Sequence, residues 1–222
     1  MTPWIKLTIS ENRNFILIII LMSVFRSSLA DWNSVPTGSM KPTIIEGDRI
    51  IINKLAYDLK LPFSNISIAK LGDPQRGDII IFNSKVSAKR LVKRVIGLPG
   101  DAVSMKNNAL SINGKALTYG LNNADTTPSV SKPYYDLTEY LYGAEYSIRI
   151  SRQTTAASNL SKIIVPKGVF LALGDNRDNS ADSRYIGFIP RAEIIGRSKN
   201  VAMSFDYQDY YLLRKERFFK AL

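Results

Sequence analysis

The short apolar runs between residues 48 and 205 restrict the fold of this chain more than any other feature. They are rich in isoleucine and valine, and glycine, proline or aspartate stands at their ends, which is typical of β-strands joined by turns. The clearest runs are 48–57, 77–83, 89–97 and 101–105. Because no long helical period occurs between residues 40 and 205, the pattern predicts a mainly β body.

An Asn-Gly pair at positions 113 and 114 predicts a tight hairpin within residues 107–117. Such a pair favours the left-handed backbone that a two-residue β-turn requires. Further along the chain, residues 163–175 predict one or two more strands, and residues 187–205 predict a short helical turn and a closing strand.

Two segments differ from this β pattern. Residues 118–162 are polar, with several tyrosines and few long apolar runs, and we interpret them as an inserted subdomain or a long surface excursion. Residues 210–222 have aromatic and leucine side chains around Arg214, Lys215, Arg217 and Lys220. This tail predicts either an amphipathic helix lying on a membrane or a solvated helix packed on the body.

The N-terminal region contains an apolar run from Phe15 to Phe25, in which Ser23 is the one residue that is not apolar. As a helix, the run spans about 16 Å, and an extension to Trp32 reaches about 27 Å, against roughly 30 Å of bilayer hydrocarbon. The pattern therefore fits a membrane anchor over residues 14–32. It also fits a cleavable signal peptide, with basic residues before the run and "SLA" (28–30) as a cleavage site.

The chain of 222 residues contains no cysteine and no histidine. These absences exclude a Ser-His-Asp triad, a cysteine nucleophile, a disulfide framework and a Cys/His zinc site. A catalytic serine would need lysine or a carboxylate as its base. The net charge of +11 favours an anionic partner. Because no run of lysines and arginines interleaved with aromatic residues stands out, we expect an anionic membrane surface and no nucleic acid.

Three clusters rich in glycine, proline or aspartate interrupt the β body: "PTGSMKPT" (36–43), "KRVIGLPGD" (93–101) and "GDNRDNSADSR" (174–184). Each alone could be a turn or a solvated loop. The third is not a calcium loop, because its carboxylates lack the alternating ligand spacing and two arginines interrupt them. We predict no metal site and no cofactor.

Together the clusters can supply a nucleophile and its base. Ser39 stands in a rigid turn, and Lys93 lies in a strand near Val92 and Val95. Apolar neighbours disfavour the charged form of a lysine, and function near pH 8 requires a pKa roughly 2 below that of a free lysine. A neutral lysine can then accept the proton of a serine hydroxyl. The alternatives are an ordinary turn serine and an ordinary edge-strand lysine.

These motifs, in this order, resemble bacterial type I signal peptidase, a membrane-bound serine endopeptidase family. The resemblance covers residues 26–196 except 118–162. It implies that Ser39 is the nucleophile, that Lys93 is the general base and that the Ser180 hydroxyl orients this lysine. It also implies that the hydroxyl of Thr37 joins the Ser39 N–H in an oxyanion hole, although serine is the more frequent residue there.

The same resemblance implies two supporting ion pairs, Asp182 with Arg184 and Asp175 with Arg94. It also implies shallow pockets for the small substrate residues before the cleaved bond. The residues at the pocket positions are Val35, Pro36, Met40, Ile44 and Val92.

The implied fold is mainly β, with two antiparallel sheets forming the catalytic body after one N-terminal transmembrane helix. We therefore expect a short cytoplasmic N-terminus at 1–13, a retained signal-anchor at 14–32 and an extracytoplasmic catalytic domain at 33–222. This arrangement is a single-pass protein of the bacterial inner membrane, with its active site on the outer side. Many relatives have two spans and a larger insertion.

The expected activity is removal of signal peptides from exported pre-proteins after a small-x-small motif. A second hypothesis is a specialised paralogue that matures one substrate, such as a conjugative pilin. A third is an inactive membrane-anchored protein that shelters signal sequences, but the joint presence of Ser39, Lys93 and Ser180 argues against it. Self-cleaving repressors also use serine and lysine, but they lack an apolar anchor. The sequence contains no indication of oligomeric state.

Overall fold

A computed structural model describes residues 12–64, 66–121 and 132–222 of the chain. In this part of the chain there are two α-helices, α1 (Arg13–Ser28) and α2 (Ser183–Ile186), and eighteen β-strands. The strands are β1 (Ala30–Ser34), β2 (Asp48–Asn53), β3 (Asp58–Lys60), β4 (Ser67–Lys70), β5 (Ile79–Ser84), β6 (Lys89–Gly97), β7 (Ala102–Lys106), β8 (Ala109–Ile112), β9 (Lys115–Ala116), β10 (Thr118–Leu121), β11 (Tyr134–Leu141), β12 (Ala144–Ser151), β13 (Leu160–Ile164), β14 (Val169–Leu173), β15 (Ile189–Pro190), β16 (Ile194–Ser198), β17 (Val201–Asp206) and β18 (Leu212–Leu213).

The prediction of a mainly β, antiparallel fold is confirmed. A nine-stranded sheet has the order β15-β14-β6-β5-β16-β2-β17-β18, and β1 also pairs with β2. The described residues form three further sheets, β13-β7-β8-β9, β10-β11-β12 and β3-β4, so the expected number of two sheets is wrong. Strands β7 to β13 lie between β6 and β14 in the chain. They cannot enter the large sheet between β6 and β14, because these two strands pair directly with each other.

Local turn chemistry matches the sequence. Strand β6 has the bounds 89–97 that the apolar run predicts. The predicted hairpin connects β8 to β9, and Asn113 and Gly114 both have the positive φ that this turn needs.

One core cluster joins the large sheet to the sheets β13-β7-β8-β9 and β10-β11-β12. It contains Ile96 and Leu171 from the large sheet together with Leu110, Ile148 and other fully buried side chains of the smaller sheets. Strands β10, β11 and β12 supply part of this core, so these described strands of the segment 118–162 pack against the body. Residues 122–131 of that segment lie outside the described residues.

Helix α1 ends at Ser28, four residues before the predicted end of the apolar segment, because Ala30–Ser34 pair with β2 instead. The side chain of Lys54 donates hydrogen bonds to the carbonyl oxygens of Arg26 and Ser27 and thus stabilises the C-terminal end of the helix. Within the three described ranges, neither helix has both the length and the apolar character needed to cross a membrane.

The tail is not the helix that its pattern predicts. Residues 210–222 contain β18 and a single 3₁₀ turn, Lys215–Arg217. The physical reason is Arg217, whose side chain is buried and forms an ion pair with the buried Asp48 of β2. A solvated or membrane-bound helix would leave this carboxylate without its partner.

Candidate active site

Ser39 lies in a short 3₁₀ turn, Gly38–Met40, that follows an extended Thr37. The side chain of Met40 is fully buried and anchors the turn in the core. The backbone N–H of Lys41 donates to the carbonyl of Gly38, and the N–H of Ile44 donates to that of Met40. Ser39 itself stays partly exposed, so its hydroxyl is rigidly held and accessible.

Lys93 of β6 reaches Ser39 directly. Its Nζ lies 2.7 Å from Oγ of Ser39 and 3.0 Å from the carbonyl oxygen of Val92. The residue is only 2% exposed. A neutral amine can donate one hydrogen bond to the carbonyl and accept the serine proton with its lone pair.

Burial lowers the pKa of Lys93 from 10.5 to about 8. The carboxylates of Asp182 and Asp175 oppose this effect, and the charge of Arg184 adds to it. The two carboxylates raise the pKa of Lys93 only to a limited extent, because each of them already forms an ion pair with an arginine. At mildly alkaline pH a large fraction of Lys93 is therefore neutral.

Both predicted ion pairs, Asp175 with Arg94 and Asp182 with Arg184, are formed in the structure. Arg94 donates to both oxygens of Asp175, at 2.9 and 2.7 Å, and Arg184 donates to both oxygens of Asp182, at 2.8 and 2.6 Å. All four side chains are nearly or fully buried. Asp182 also accepts from the N–H of Gly174 at 2.9 Å. These contacts fix the loop between β14 and α2 over the lysine.

One predicted contact is not formed. The hydroxyl of Ser180 is buried but has no hydrogen-bond partner among the described residues, so the expected bond that orients Lys93 is absent. Thr37 is exposed, and its side chain makes no capping hydrogen bond to the turn that it precedes. Both residues nevertheless lie beside the Ser39 turn, Ser180 because it packs against Gly174.

The five predicted pocket residues have different exposures. Val35, Met40, Ile44 and Val92 belong to one core cluster, and Met40 and Ile44 are fully buried. Pro36 is exposed, and Val92 retains 8% exposure. The apolar residues therefore form the floor beneath the Ser39 turn, and they do not all line an open pocket.

Strand β6 has a free edge next to the serine. Strand β5 pairs with β6 from Lys89 to Arg94, but β14 pairs on the other side only from Arg94 to Gly97. Among the described residues, the stretch 89–92 thus has no partner strand on that side. The free edge begins at Lys93, where an extended peptide could add as a further strand.

Gly174 and Asn176 are site residues that sequence reasoning missed. The N–H of Asn176 donates to the carbonyl of Ser39 at 3.1 Å, and its side-chain amide donates to that of Gly38 at 2.9 Å. A Cβ on Gly174 would overlap the Ser39 carbonyl oxygen and Oγ of Ser180. The signal was present in "GDN" (174–176), where a glycine and an amide adjoin the predicted aspartate.

A second buried cluster supports this loop from below. Arg177 forms two hydrogen bonds to Glu139, at 2.8 and 2.6 Å, and both side chains are fully buried. Burial alone would raise the pKa of Glu139, but the charge of Arg177 lowers it below its ordinary value. Tyr146 also donates to Glu139 and stacks under Arg94, at 3.9 Å from its ring centre. The three-stranded sheet and the active-site loop therefore share one polar network.

The sequence of this chain is similar to those of several known proteins. A sequence model of the family described as "Signal peptidase, peptidase S26" matches residues 8–203. Signal peptidase I of Pseudomonas fluorescens is 35% identical over 210 residues, which cover 89% of this chain and 73% of the relative. Signal peptidase I of Buchnera aphidicola subsp. Schizaphis graminum is 31% identical, with 85% and 73% covered. A crystal structure of a signal peptidase I from Enterococcus faecalis V583 is 35% identical, covers 58% of this chain and 98% of that chain, and has a TM-score of 0.37.

Proposed function

Because the chain belongs to the signal peptidase family, peptidase S26, we propose that it cleaves signal peptides with Ser39 as nucleophile and Lys93 as base. The family makes the chain a serine endopeptidase of the signal peptidase I type. The 2.7 Å separation between Nζ of Lys93 and Oγ of Ser39 is the observation that carries the residue assignment.

In the first half-reaction, neutral Lys93 accepts the proton of the Ser39 hydroxyl as Oγ attacks the carbonyl carbon of the cleaved bond. The resulting ammonium then gives this proton to the leaving amine, and the C–N bond breaks. In the second half-reaction, Lys93 accepts a proton from water, which attacks the ester. The ester C–O bond breaks, and the proton returns to Oγ of Ser39.

Negative charge develops on the carbonyl oxygen during each attack. We assign the N–H of Ser39 and the hydroxyl of Thr37 as its donors. The support is that Thr37 is exposed and its side chain is not used in capping, so its hydroxyl is available to a substrate. A single such donor contributes roughly 10²- to 10³-fold in kcat in serine proteases.

Five further residues position Lys93 and the Ser39 turn: Ser180, Asp182, Arg184, Asp175 and Arg94. The two ion pairs hold the loop that covers Lys93, and this cover excludes the water that would restore the ordinary lysine pKa. We assign the unpartnered Ser180 hydroxyl to the ammonium form of Lys93, which offers one more N–H than the neutral amine.

The substrate binds as an extended strand along the free edge of β6. Main-chain hydrogen bonds to residues 89–92 would bring its carbonyl to Ser39, and small side chains would enter the space above Val35, Pro36 and Val92. The fully buried Met40 and Ile44 support this space from below.

We further propose that the catalytic body works at the outer surface of the bacterial inner membrane, as a single-pass protein. The support is the exposed apolar surface of α1, from Phe15 to Phe25, and an apolar groove of about 520 Å³ beside it that includes Trp32 and Phe219. Carbonate extraction of membranes from cells that express the full chain tests this arrangement. Recovery of the protein in the soluble fraction would contradict it.

The decisive test of the dyad is a cleavage assay on the purified full chain with Ser39→Ala, Lys93→Ala and the double variant. Each single change should abolish turnover, and the double variant should lose little more, because the two residues act as a unit. Near-normal turnover by either single variant would refute the assignment. Lys115→Ala, an exposed lysine-to-alanine change on β9, is the control.

Expression in cells depleted of their own signal peptidase separates the general enzyme from a dedicated paralogue. Restored export of many proteins supports the general role. Cleavage of peptides in vitro without restored export would instead indicate one dedicated substrate, such as a pilin.

A further inference from the structure

The hairpin of β3 and β4 exposes apolar side chains to solvent. Phe63, in the turn between the two strands, is 73% exposed, and Ile66 and Ile68 are 64% and 60% exposed. Leu61 and Leu71, at the two ends of this stretch, are also exposed. A two-stranded hairpin has little core of its own in which to bury such residues. An apolar surface of this kind marks contact with another protein or with a membrane.

Polar side chains attach the β3–β4 hairpin firmly to the body. Asp58 forms an ion pair with Arg191 at 2.6 Å and accepts a hydrogen bond from Ser67 at 3.0 Å. The side chain of Lys60 donates to the carbonyl oxygen of Ile194 at 3.2 Å. The hairpin is therefore fixed relative to the body, and its apolar side chains are held outside it in a constant direction.

The turn of the hairpin lies at the C-terminal end of α1. The N–H of Phe63 donates to Oγ of Ser27, near the end of this helix, at 2.7 Å. Phe63 has a φ of 59°, a left-handed conformation that is uncommon for a bulky residue, and its ring nevertheless stays in solvent. The apolar surface of α1 that we propose to lie in the membrane, from Phe15 to Phe25, ends directly before this contact. The turn therefore lies at the level where α1 would leave the bilayer.

The charge of the hairpin favours a lipid surface as its partner. Residues 59–71 contain two lysines and no carboxylate. The apolar turn can thus enter the boundary between headgroups and acyl chains without burying an acidic side chain. Lysines beside that boundary are attracted to anionic headgroups.

We propose that the β3–β4 hairpin is a second lipid contact of this protein, which inserts its apolar turn into the bilayer surface beside α1 and so orients the catalytic body. This proposal rests on the membrane location given under the proposed function. A single helix leaves the body free to turn about the helix axis, whereas two separate contacts define one orientation. The Ser39 site then faces the bilayer in one direction.

The chain has no cysteine, so a single introduced cysteine is its only thiol and can carry one fluorescent label. The test uses four single variants, two in the hairpin, one in α1 and one in β13: Phe63→Cys, Ile68→Cys, Ile19→Cys and Ile164→Cys. Ile164 is the matched control, because it is 66% exposed on a strand of another sheet. Each full chain is reconstituted into vesicles of phosphatidylethanolamine and phosphatidylglycerol, with and without lipids that carry a quencher on the acyl chain.

We expect the labels at positions 19, 63 and 68 to lose most of their fluorescence to the quenching lipids, and the label at position 164 to lose little. If the labels at 63 and 68 behave like the label at 164 while the label at 19 is quenched, the hairpin proposal is wrong and the membrane location stands. If the label at 19 is not quenched either, both are wrong.

The orienting role is tested by combining Phe63→Ser, Ile66→Ser and Ile68→Ser in one full chain, with Ile164→Ser as the control. The value of kcat/KM for a pre-protein in the same vesicles should fall by about tenfold, because the site loses its fixed position over the substrate. The value for a short soluble peptide in detergent should not change. Equal losses on both substrates, or no loss on either, would overturn the orienting role. A loss in vesicles without lipid quenching at positions 63 and 68 would indicate a protein partner and would also overturn the proposal.

Discussion

Replacing Lys93 by methionine should make the protein more stable at neutral pH. The pKa of Lys93 falls from 10.5 to about 8 in the folded protein, so folding disfavours the ammonium form. At 1.36 kcal/mol for each pKa unit, holding the charged lysine in this site costs about 3 kcal/mol at pH 7. The methionine variant avoids this cost, but it loses the hydrogen bonds of Lys93 to Ser39 and to the Val92 carbonyl, which removes about 2 kcal/mol of the gain in stability. The expected net gain is about 1 kcal/mol.

The effect depends on pH in a defined direction. Between pH 8 and 10.5 the unfolded chain still binds a proton at Lys93 and the folded protein does not, so the stability of the unmodified protein rises with pH. The cost of the buried charge should fall from about 3 kcal/mol at pH 7 to about 1 kcal/mol at pH 10. The methionine variant should thus be the more stable protein at pH 7 and the less stable one at pH 10.

Urea unfolding of the full chain in one detergent, followed by tryptophan fluorescence at several pH values between 7 and 10, measures both free energies. Lys89→Met, an exposed change at the start of the same strand, serves as the control and should show no such crossing. A difference between Lys93→Met and the unmodified protein that stays constant over this pH range would refute the assignment of a depressed lysine pKa.

Four further outcomes are expected. The value of kcat/KM should rise about tenfold between pH 7 and pH 9 as Lys93 becomes neutral, and a flat profile would exclude this lysine as the base. Gly174→Ala should lower kcat/KM and destabilise the fold by about 1–3 kcal/mol, measured by urea unfolding, because its Cβ overlaps the serine turn. Asn176→Ala should reduce kcat by about tenfold to hundredfold with little change in KM, and an unchanged kcat would deny it a role in holding that turn. Arg177→Met should destabilise by about 3–5 kcal/mol, and a simultaneous Glu139→Leu should restore most of that loss in the same unfolding experiment.

Local features of the fold follow well from the sequence. Strand β6 and the hairpin at Asn113 and Gly114 occur where apolar periodicity and turn chemistry place them, because both depend on neighbouring residues only. The number of sheets does not follow, since it depends on which distant strands meet. The tail shows the same limit: its amphipathic pattern predicts a helix, but the ion pair between Arg217 and Asp48 over a long sequence separation determines its path.

Some features of the candidate site can likewise be predicted from the sequence, and others cannot. The proximity of Ser39 and Lys93 follows from residue chemistry and from the resemblance that the motifs carry. The contacts of Asn176 do not follow, because a polar residue in a loop shows no local sign of the backbone carbonyls that it reaches. The hydroxyl of Ser180 has the expected location but not the expected bond, and the resemblance alone could not define that geometry.

The parts of the site come from distant stretches of the chain, and this determines when the protein can first act. Ser39 and Lys93 are 54 residues apart, and Asn176 lies 138 residues after Gly38, whose carbonyl it binds. At usual rates of synthesis, on the order of ten seconds separate the emergence of the nucleophile from that of the loop that holds it. During this interval the growing chain carries a serine without its support and a lysine still exposed to water. A chain that ends before this loop therefore lacks the contacts that hold the nucleophile, and we expect no turnover from it.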